Sequence, residues 1–267
     1  MNNTALEKLS EEFGATIRLL EQAASTNDIA AETCFHEGDV VIALEQTHGR
    51  GQRGSTWSAE KGLNLTFSMV LEPDFLPAGR QFLISQAVSL AIADCLWHRS
   101  IGATVKWPND IYIGDRKIAG ILIEHTVSGT ELQRSVVGIG LNINQTRFDP
   151  SLPNPTSLAL ETGRGANSGE GVGAVGAQTD IFDLFDELYR CLLARYALLL
   201  ERDFEHIEED YRGSLYLLDT PHTFTIAGRP IEGIIRGVGE YGQLIVEHPA
   251  AKGPGNTKSY LFKEIAF

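Results

Sequence analysis

The sequence predicts an α+β fold: a mixed, largely antiparallel sheet with flanking helices, followed by a small C-terminal β-domain. Strand and helix patterns alternate up to about residue 150. The later strand patterns in that region follow one another with short links, which favours antiparallel pairing over crossovers. From about residue 214, short strands and glycine turns replace helical patterns. We therefore expect one domain over residues 1–212 and a second over residues 213–267.

The first elements follow from apolar spacing and capping residues. Residues 15–21 form a first strand pattern, and the polar run 25–28 offers N-cap side chains to a short helix ending near Glu32. The apolar run 39–46 indicates a buried strand. The alternation of apolar and mostly polar residues over 63–71 predicts a strand with one buried face.

A mostly apolar helix is expected over residues 80–100, ahead of a series of strands. The strand patterns cover residues 103–107, 110–114, 117–127 and 132–144. The second and third of these meet at residues 114–117, whose Gly and Asp favour a hairpin turn.

The remainder reads as connector, helix and small barrel. Residues 163–178 are rich in glycine with almost no large side chains, and we expect a connector or surface loop inside the first domain. One long helix is predicted over about 179–212, with its charged end facing solvent. The last 50 or so residues have the pattern of a small β-barrel.

Composition limits the class of protein. The net charge of −13 disfavours duplex nucleic acid as a partner, because no separate basic module is visible. The three cysteines lack a CxxC spacing and are expected to be reduced. The N-terminal residues have no apolar signal region, and no run of about 18 apolar residues occurs. We expect a soluble, cytoplasmic protein with no membrane partner.

Residues 49–54, GRGQRG, match the dinucleotide-binding pattern G-x-G-x-x-G. That fingerprint requires a helix to begin at its last glycine, so that the helix N-terminus faces the pyrophosphate. Here a polar turn and an alternating strand pattern follow instead, and no P-loop motif is present. The match is therefore interpreted as accidental.

The same loop combines three glycines with Arg50 and Arg53, next to His48. Glycine allows close approach to a ligand, and arginine presents forked donors to phosphate or carboxylate oxygens. An exposed polar loop between two strands explains the loop equally well when it is taken alone.

A second group of residues downstream favours a binding site. The segment 106–110, KWPND, places a lysine and an amide–carboxylate pair at a junction between strands. Lys117 then precedes the small residues 119–120, and the GIGLNIN segment 138–144 adds two glycines and an asparagine. Together these features predict a site for an anionic, partly flat ligand.

The blocks GRGQRGSTW, KWPND, RKIAGILIE and GIGLNIN, in this order, resemble the signature blocks of biotin–protein ligases. The resemblance covers roughly residues 15–150 and implies a class II synthetase-like sheet followed by an SH3-like barrel. Some members are also repressors with an N-terminal helix-turn-helix of about 60 residues. Because the first strand pattern begins near residue 15, we expect the monofunctional type here.

The resemblance implies two reactions: biotin and ATP form biotinyl-5′-AMP, and a lysine of a biotin carboxyl carrier domain then takes the biotinyl group. It implies that Arg50 and Lys117 offset the repulsion between two anions. It implies that Asp110, beside Asn109, helps to hold Mg²⁺. Lys106 is a candidate for the triphosphate. Asp110 or the phosphate could accept the proton of the acceptor lysine, and a homodimer is possible.

Further positions are implied for each ligand. The implied biotin-binding residues are Ser25, Thr26, Asn27, Gln46, Gly49, Arg50, Gly51, Gln52, Lys117, Gly138 and Gly140. The implied ATP-binding residues are Arg53, Trp57, Lys106, Asn109, Asp110 and Asn142, with Trp57 stacking on adenine. Without the resemblance, plain helix capping would be the better explanation for residues 25–27.

The sequence departs from the family pattern in the loop. Gln52 stands where several members carry arginine, and Ser55-Thr56 replaces a basic pair found in some. The loop therefore holds fewer cations, and we expect weaker retention of the adenylate.

Three competing functions share some of these features. A lipoate–protein ligase uses the same adenylate chemistry, although the Arg/Gly loop and KWPND favour biotin. A ligand-responsive DNA-binding regulator is disfavoured by the acidic composition and by the early first strand pattern. A non-catalytic biotin-binding protein is disfavoured by the presence of Arg50, Asp110 and Lys117.

Overall fold

The computed structural model describes residues 4–166, 178–249 and 256–267. Within these ranges the helices are α1 Thr4–Phe13, α2 Thr26–Ala30, α3 Phe82–His98, α4 Leu158–Ala166, α5 Ile181–Leu200 and α6 Phe204–Gly213. None of the helices in the described ranges is both long enough and apolar enough to cross a membrane.

The first seven strands form one mixed sheet. They are β1 Ile17–Leu20, β2 Val40–Ala43, β3 Leu65–Leu71, β4 Thr104–Lys106, β5 Asp110–Ile113, β6 Arg116–Ser128 and β7 Glu131–Leu141. Their order in the sheet is β1-β2-β3-β7-β6-β5-β4. Only the β1–β2 pair is parallel, and α2 forms its crossover. The predicted mixed, largely antiparallel sheet with flanking helices is confirmed.

The C-terminal strands form a second, antiparallel sheet. They are β8 Pro221–Ile226, β9 Arg229–Val238, β10 Leu244–Glu247, β11 Thr257–Tyr260 and β12 Ile265–Ala266, in the order β11-β10-β9-β8-β12. Phe224, Ile235 and Leu244 belong to the same buried cluster as the apolar residues of α3 and α5. The predicted small β-rich C-terminal region is therefore present and packs on the rest of the chain.

The two faces of the large sheet have different coverings. Leu65, Phe67 and Met69 of β3 pack in the main core with the long helices α3 and α5. On the opposite face, Val70 packs in a small apolar cluster with Ala30 at the end of α2. The prediction that residues 63–71 expose one strand face is wrong, because all seven residues of β3 are buried. Alternating side chains reflect two covered faces here, one apolar and one largely polar.

Further differences from the sequence prediction concern helices. The single helix expected over 179–212 is two helices, because Arg202 adopts φ 61° in the left-handed region and ends α5. Helix α1 was not predicted, although its Leu6 and Leu9 are buried at helical spacing. Helix α4 takes up residues 163–166 of the expected connector, and residues 167–177 of that connector lie outside the described ranges.

Candidate active site

A cavity of about 460 Å³ opens on the α2 face of the large sheet. Loop 49–57 covers one side, the corner 106–110 another, and C-terminal residues such as Phe262, Lys263 and Phe267 close the rim. Fourteen predicted site residues line it: Ser25, Thr26, Asn27, Gln46, Arg50, Gly51, Gln52, Trp57, Lys106, Asn109, Asp110, Lys117, Gly138 and Gly140. Residues that are distant in the sequence thus meet in one concave site.

The floor of the cavity is formed in part by two glycines of β7, Gly138 and Gly140. In the sheet register, Gly140 lies between Thr66 and Gly120, and a Cβ at Gly140 would collide with the Trp57 indole. Gly138 lies two residues earlier on the same face of the strand, where a Cβ would collide with the side chain of Asn27. The two glycines of β7 therefore let Trp57 and Asn27 lie directly on the sheet backbone.

A hydrogen-bonded network fixes the end of the cavity at α2. The Ser68 hydroxyl lies 2.6 Å from Asn27 Oδ1 and 2.7 Å from Thr26 Oγ1. Gln46 Oε1 accepts from Thr26 N at 2.7 Å and from Thr26 Oγ1 at 3.1 Å. Ser25 occupies the N-cap position of α2 but makes no side-chain capping bond. The side chains of Thr26 and Asn27 serve tertiary contacts at the cavity wall, so helix capping does not account for them.

Loop 49–57 is a short hairpin with a 3₁₀ turn over Gln52–Gly54. Gly51 N donates to Ser55 O at 2.7 Å, and Trp57 N donates to Gly49 O at 2.9 Å. This pairing brings Trp57 next to the first half of the hairpin, which carries Arg50. The loop is therefore folded against the sheet, with its guanidinium and its indole on the same cavity.

The Arg50 guanidinium is held by two carboxylates at the cavity edge. Its Nη2 lies 2.6 Å from Asp28 Oδ1, and both terminal nitrogens lie 3.1 Å from the oxygens of Glu124. Asn27 Nδ2 donates to the same Glu124 carboxylate at 2.7 Å. The loop cation is thereby connected to the polar network of α2.

Lys117 approaches the cavity from β6 and pairs with Asp110, the first residue of β5, at an Nζ–Oδ1 distance of 2.7 Å. The same ammonium lies 5.8 Å from the centre of the Trp57 ring, within the range of a cation–π contact. Both members of the ion pair are partly exposed to the cavity. An incoming anion can therefore reach Lys117 by displacing Asp110.

Lys106 lies near the rim formed by the C-terminal segment. Its Nζ is 3.1 Å from the Tyr112 hydroxyl and 4.9 Å from the centre of the Phe267 ring. Among the described residues that line the cavity, four side chains are cationic (Arg50, Lys106, Lys117 and Lys263) and one, Asp110, is a carboxylate. In a chain of net charge −13, this lining selects an anionic ligand.

The corner 106–110 is fixed from both sides. Asn109 Nδ2 donates to Ile121 O at 2.6 Å, and Ile121 N donates to Asn109 O at 3.0 Å, which ties the corner to β6. The Trp107 indole donates to Gly242 O at 2.9 Å and packs against Phe262. The corner therefore carries the cavity wall and also anchors the C-terminal sheet.

Two predicted site residues whose positions are described, Gly49 and Asn142, are not among the lining. Gly49 is buried beside the cavity, where a Cβ would collide with the Trp57 carbonyl oxygen. Asn142 donates its amide to Thr156 O at 2.9 Å and ties the end of β7 to the segment before α4. The structure does not bring Asn142 to the cavity wall. The side chain of Arg53 lies outside the described residues.

Sequence reasoning missed Ser68, Glu124 and Asp28, which hold the predicted residues in place. Ser68 lies on the cavity side of the sheet, beneath Thr26 and Asn27, because it pairs with Gly138 in the register of β3 and β7. Glu124 is four residues beyond Gly120 on β6, on the same face of the strand. The alternation of β6 past its glycine could have indicated Glu124, whereas Ser68 depends on a register that the sequence does not reveal.

Comparisons with known proteins place this geometry in a family. The model of the biotin/lipoate A/B protein ligase family matches residues 19–142. The chain is 30% identical over 248 residues to the bifunctional ligase/repressor BirA of Escherichia coli, covering 91% of this chain and 73% of that protein. It is also 30% identical over 222 residues to the biotin–[acetyl-CoA-carboxylase] ligase of Paracoccus denitrificans, covering 79% and 85% of the two chains.

The chain spans between 56% and 73% of the lengths of four bifunctional ligase/repressors from enteric bacteria and Bacillus. Among solved structures, the biotin protein ligase of Aquifex aeolicus in complex with biotin and ATP has a TM-score of 0.74. That match covers 94% of this chain and 97% of the other at 22% identity, so it bears on the fold. The chain belongs to the biotin/lipoate A/B protein ligase family, and within it to the biotin–protein ligases.

Proposed function

We propose that this protein activates biotin with ATP and transfers the biotinyl group to a lysine of a biotin carboxyl carrier domain. In the first step a biotin carboxylate oxygen attacks the α-phosphorus of ATP, and pyrophosphate leaves. In the second step the acceptor amine attacks the acyl carbon, AMP leaves, and the amine loses a proton. The observation that carries the proposal is the convergence of Arg50 and Lys117 on one glycine-floored cavity.

The first step is limited by electrostatics. Two unit negative charges about 4 Å apart repel by about 4 kcal/mol at the effective dielectric of a protein surface. Arg50 and Lys117 reach the same cavity from different segments, the loop and strand β6, so that an anhydride forming there gains from both. Lys117 has only to exchange Asp110 for a ligand oxygen, and Arg50 has only to exchange its contact with Asp28.

The two halves of the intermediate fit different parts of the cavity. The apolar bicycle and ureido group of biotin suit the end near α2, where Thr26, Asn27 and Gln46 present polar atoms beside Leu122. Adenine suits the flat indole of Trp57, which lies over Gly140. The Trp57 Nε1 is buried against the sheet at Gly140 and has no hydrogen-bond partner in the described structure, so the ring is held there by packing alone.

A magnesium ion fits this site only together with the nucleotide. The described residues contain no cluster of three or more His, Cys, Asp or Glu side chains that could hold a metal. One carboxylate plus substrate phosphates is a usual arrangement for Mg²⁺, and Asp110 is the carboxylate of the lining. Asp110 would hold the ion, and the ion would neutralise phosphate charge. Lys117 must first release Asp110 for this to occur.

The second step needs a neutral amine. With an ordinary pKa near 10.4, fewer than about one lysine in a thousand is neutral at pH 7. Once Lys117 turns to the ligand, Asp110 is a carboxylate close to the acyl-phosphate and could accept the proton, as could the phosphate itself.

Several further features stay predictions: two domains over 1–212 and 213–267, a homodimer, a cytoplasmic location, and no nucleic-acid partner.

The test is biotin-dependent exchange of labelled pyrophosphate into ATP, with lipoic acid as a competing substrate. We expect exchange with biotin, and labelling of a purified biotin carboxyl carrier domain in the complete reaction. Lys117→Ala should lower exchange at least 100-fold. Lys61→Ala, which removes an exposed lysine paired with Glu21, should leave exchange unchanged. Exchange supported by lipoic acid alone would favour lipoate ligation, and biotin binding without exchange would favour a non-catalytic binding protein.

A further inference from the structure

Glu124 is a carboxylate of β6 that contacts both Arg50 of the loop and Asn27 of α2. Its Oε2 accepts from Asn27 Nδ2 at 2.7 Å, and its two oxygens accept from the two terminal nitrogens of Arg50 at 3.1 Å each. A fork-to-fork pair of this kind fixes both the position and the plane of a guanidinium. Glu124 is therefore placed to set two side chains of the site at once.

The second carboxylate on Arg50 is held less firmly. Asp28 accepts one bond from Arg50 at 2.6 Å, and its side chain is 60% exposed, against 43% for Glu124. Glu124 also projects from the middle of β6, which is paired with β7 at Val136. When an anionic ligand draws on the Arg50 guanidinium, Asp28 is the partner that can move into solvent.

Asn27 has no freedom to turn its amide while Glu124 is in place. Nδ2 donates to Glu124, and Oδ1 lies 2.6 Å from the Ser68 hydroxyl, above the space left by Gly138. If the carboxylate were lost, Nδ2 would keep only a long contact to Leu122 O at 3.4 Å. The wall of the cavity at α2 would then lose its fixed donor and acceptor pattern.

We propose that Glu124 is a positioning residue of the biotin site, which aligns Arg50 and Asn27 through a single carboxylate. The inference rests on the proposed function, since the side chains that it aligns are those assigned to biotin. Glu124 itself is separated from the ligand by the two groups that it holds. Its loss should therefore act on the use of biotin more than on the maximum rate.

Two variants separate the roles of charge and shape. Glu124→Gln keeps an oxygen acceptor for Asn27 but loses the charge and one of the two bonds to Arg50. Glu124→Ala loses all of these contacts. In pyrophosphate exchange we expect the KM for biotin to rise about tenfold or more in Glu124→Ala and less in Glu124→Gln. The kcat should fall by a smaller factor than the KM rises, because Arg50 also acts in the chemical step but keeps its contact with Asp28.

The matched controls are Glu131→Ala, which removes an exposed carboxylate at the start of β7, and Asp28→Asn. Glu131→Ala should leave the KM for biotin unchanged, and Asp28→Asn should raise it less than Glu124→Gln does. A double-mutant cycle of Glu124→Gln with Arg50→Ala should be non-additive, because the two groups share one interaction.

The inference fails if Glu124→Gln leaves the KM for biotin within twofold of the parent protein, if the cycle is additive, or if Asp28→Asn has the larger effect. Should Glu124→Ala fail to fold, Glu124→Gln and the cycle still decide. Absence of exchange in the parent protein would instead refute the proposed function. An active parent with unaffected Glu124 variants would refute this inference alone.

Discussion

The clearest test of the cavity floor is Gly140→Ala. A Cβ at position 140 would lie within van der Waals overlap of the Trp57 indole, including its Nε1 and Cζ2 atoms. The obstructing atoms belong to a side chain rather than to the backbone, so the ring can swing away at little cost to the fold. The variant should fold normally but lose the flat surface that we assign to adenine.

The expected change in the KM for ATP follows from the loss of stacking between adenine and Trp57. Stacking of a base on an aromatic side chain contributes about 1–3 kcal/mol. Because each 1.4 kcal/mol corresponds to a factor of ten, the KM for ATP should rise between about 5-fold and 150-fold. The KM for biotin should change much less, because the Asn27 end of the cavity lies over Gly138, two residues from the substituted position.

The assay is pyrophosphate exchange at saturating biotin over a range of ATP concentrations, with thermal unfolding as a check on folding. Gly102→Ala is the matched control, because a Cβ at Gly102 meets nothing within 4 Å. An unchanged KM for ATP in a folded Gly140→Ala protein would refute the stacking role of Trp57. A rise confined to the KM for biotin would show that the indole serves the other ligand.

Two further predictions concern the loop and the sheet. Gln52→Arg adds a guanidinium to the cavity lining and should slow the dissociation of biotinyl-5′-AMP about tenfold, as for one charge-assisted hydrogen bond; no slowing in a dissociation time course would contradict it. Burial lowers the pKa of His125 to about 4, below its unfolded value near 6.5. Between these two pH values the unfolded chain binds a proton that the folded protein does not. The free energy of unfolding should therefore fall as the pH drops from 7 to 4. The loss by pH 5 should be about 1–2 kcal/mol in urea unfolding and smaller in His125→Gln, and equal pH slopes for the two proteins would contradict it.

The sequence predicted the cavity better than it predicted the helices. Glycines and cations carry local signals, and Arg50, Lys117 and Gly140 meet because β3, β7 and β6 are adjacent in the sheet. The break after α5 could not be predicted, because the turn at Arg202 has no glycine or proline to mark it. Helix α6 begins directly after this turn, at Phe204, and buries Ile207 and Tyr211.

The residues that hold the site were harder to find than those that line it. The sequence around Glu124 predicts only an exposed strand residue. The ion pair with Arg50 forms because the loop folds against β6. Asn142 shows the opposite case: its motif predicts a ligand contact, whereas in the structure its Nδ2 donates to Thr156 O, and the contact with the adenylate stays a prediction. Both outcomes depend on contacts between segments far apart in the sequence, which local patterns do not encode.

The most direct test of the proposed chemistry is a crystal structure with a non-hydrolysable analogue of biotinyl-5′-AMP. Lys117 Nζ should leave Asp110, and the Arg50 guanidinium should leave Asp28, each to lie about 3 Å from an oxygen at the acyl–phosphate junction. If Lys117 stays on Asp110 and Arg50 stays on Asp28, or if both cations point into solvent away from the analogue, the proposed role of these two residues in forming the adenylate is contradicted.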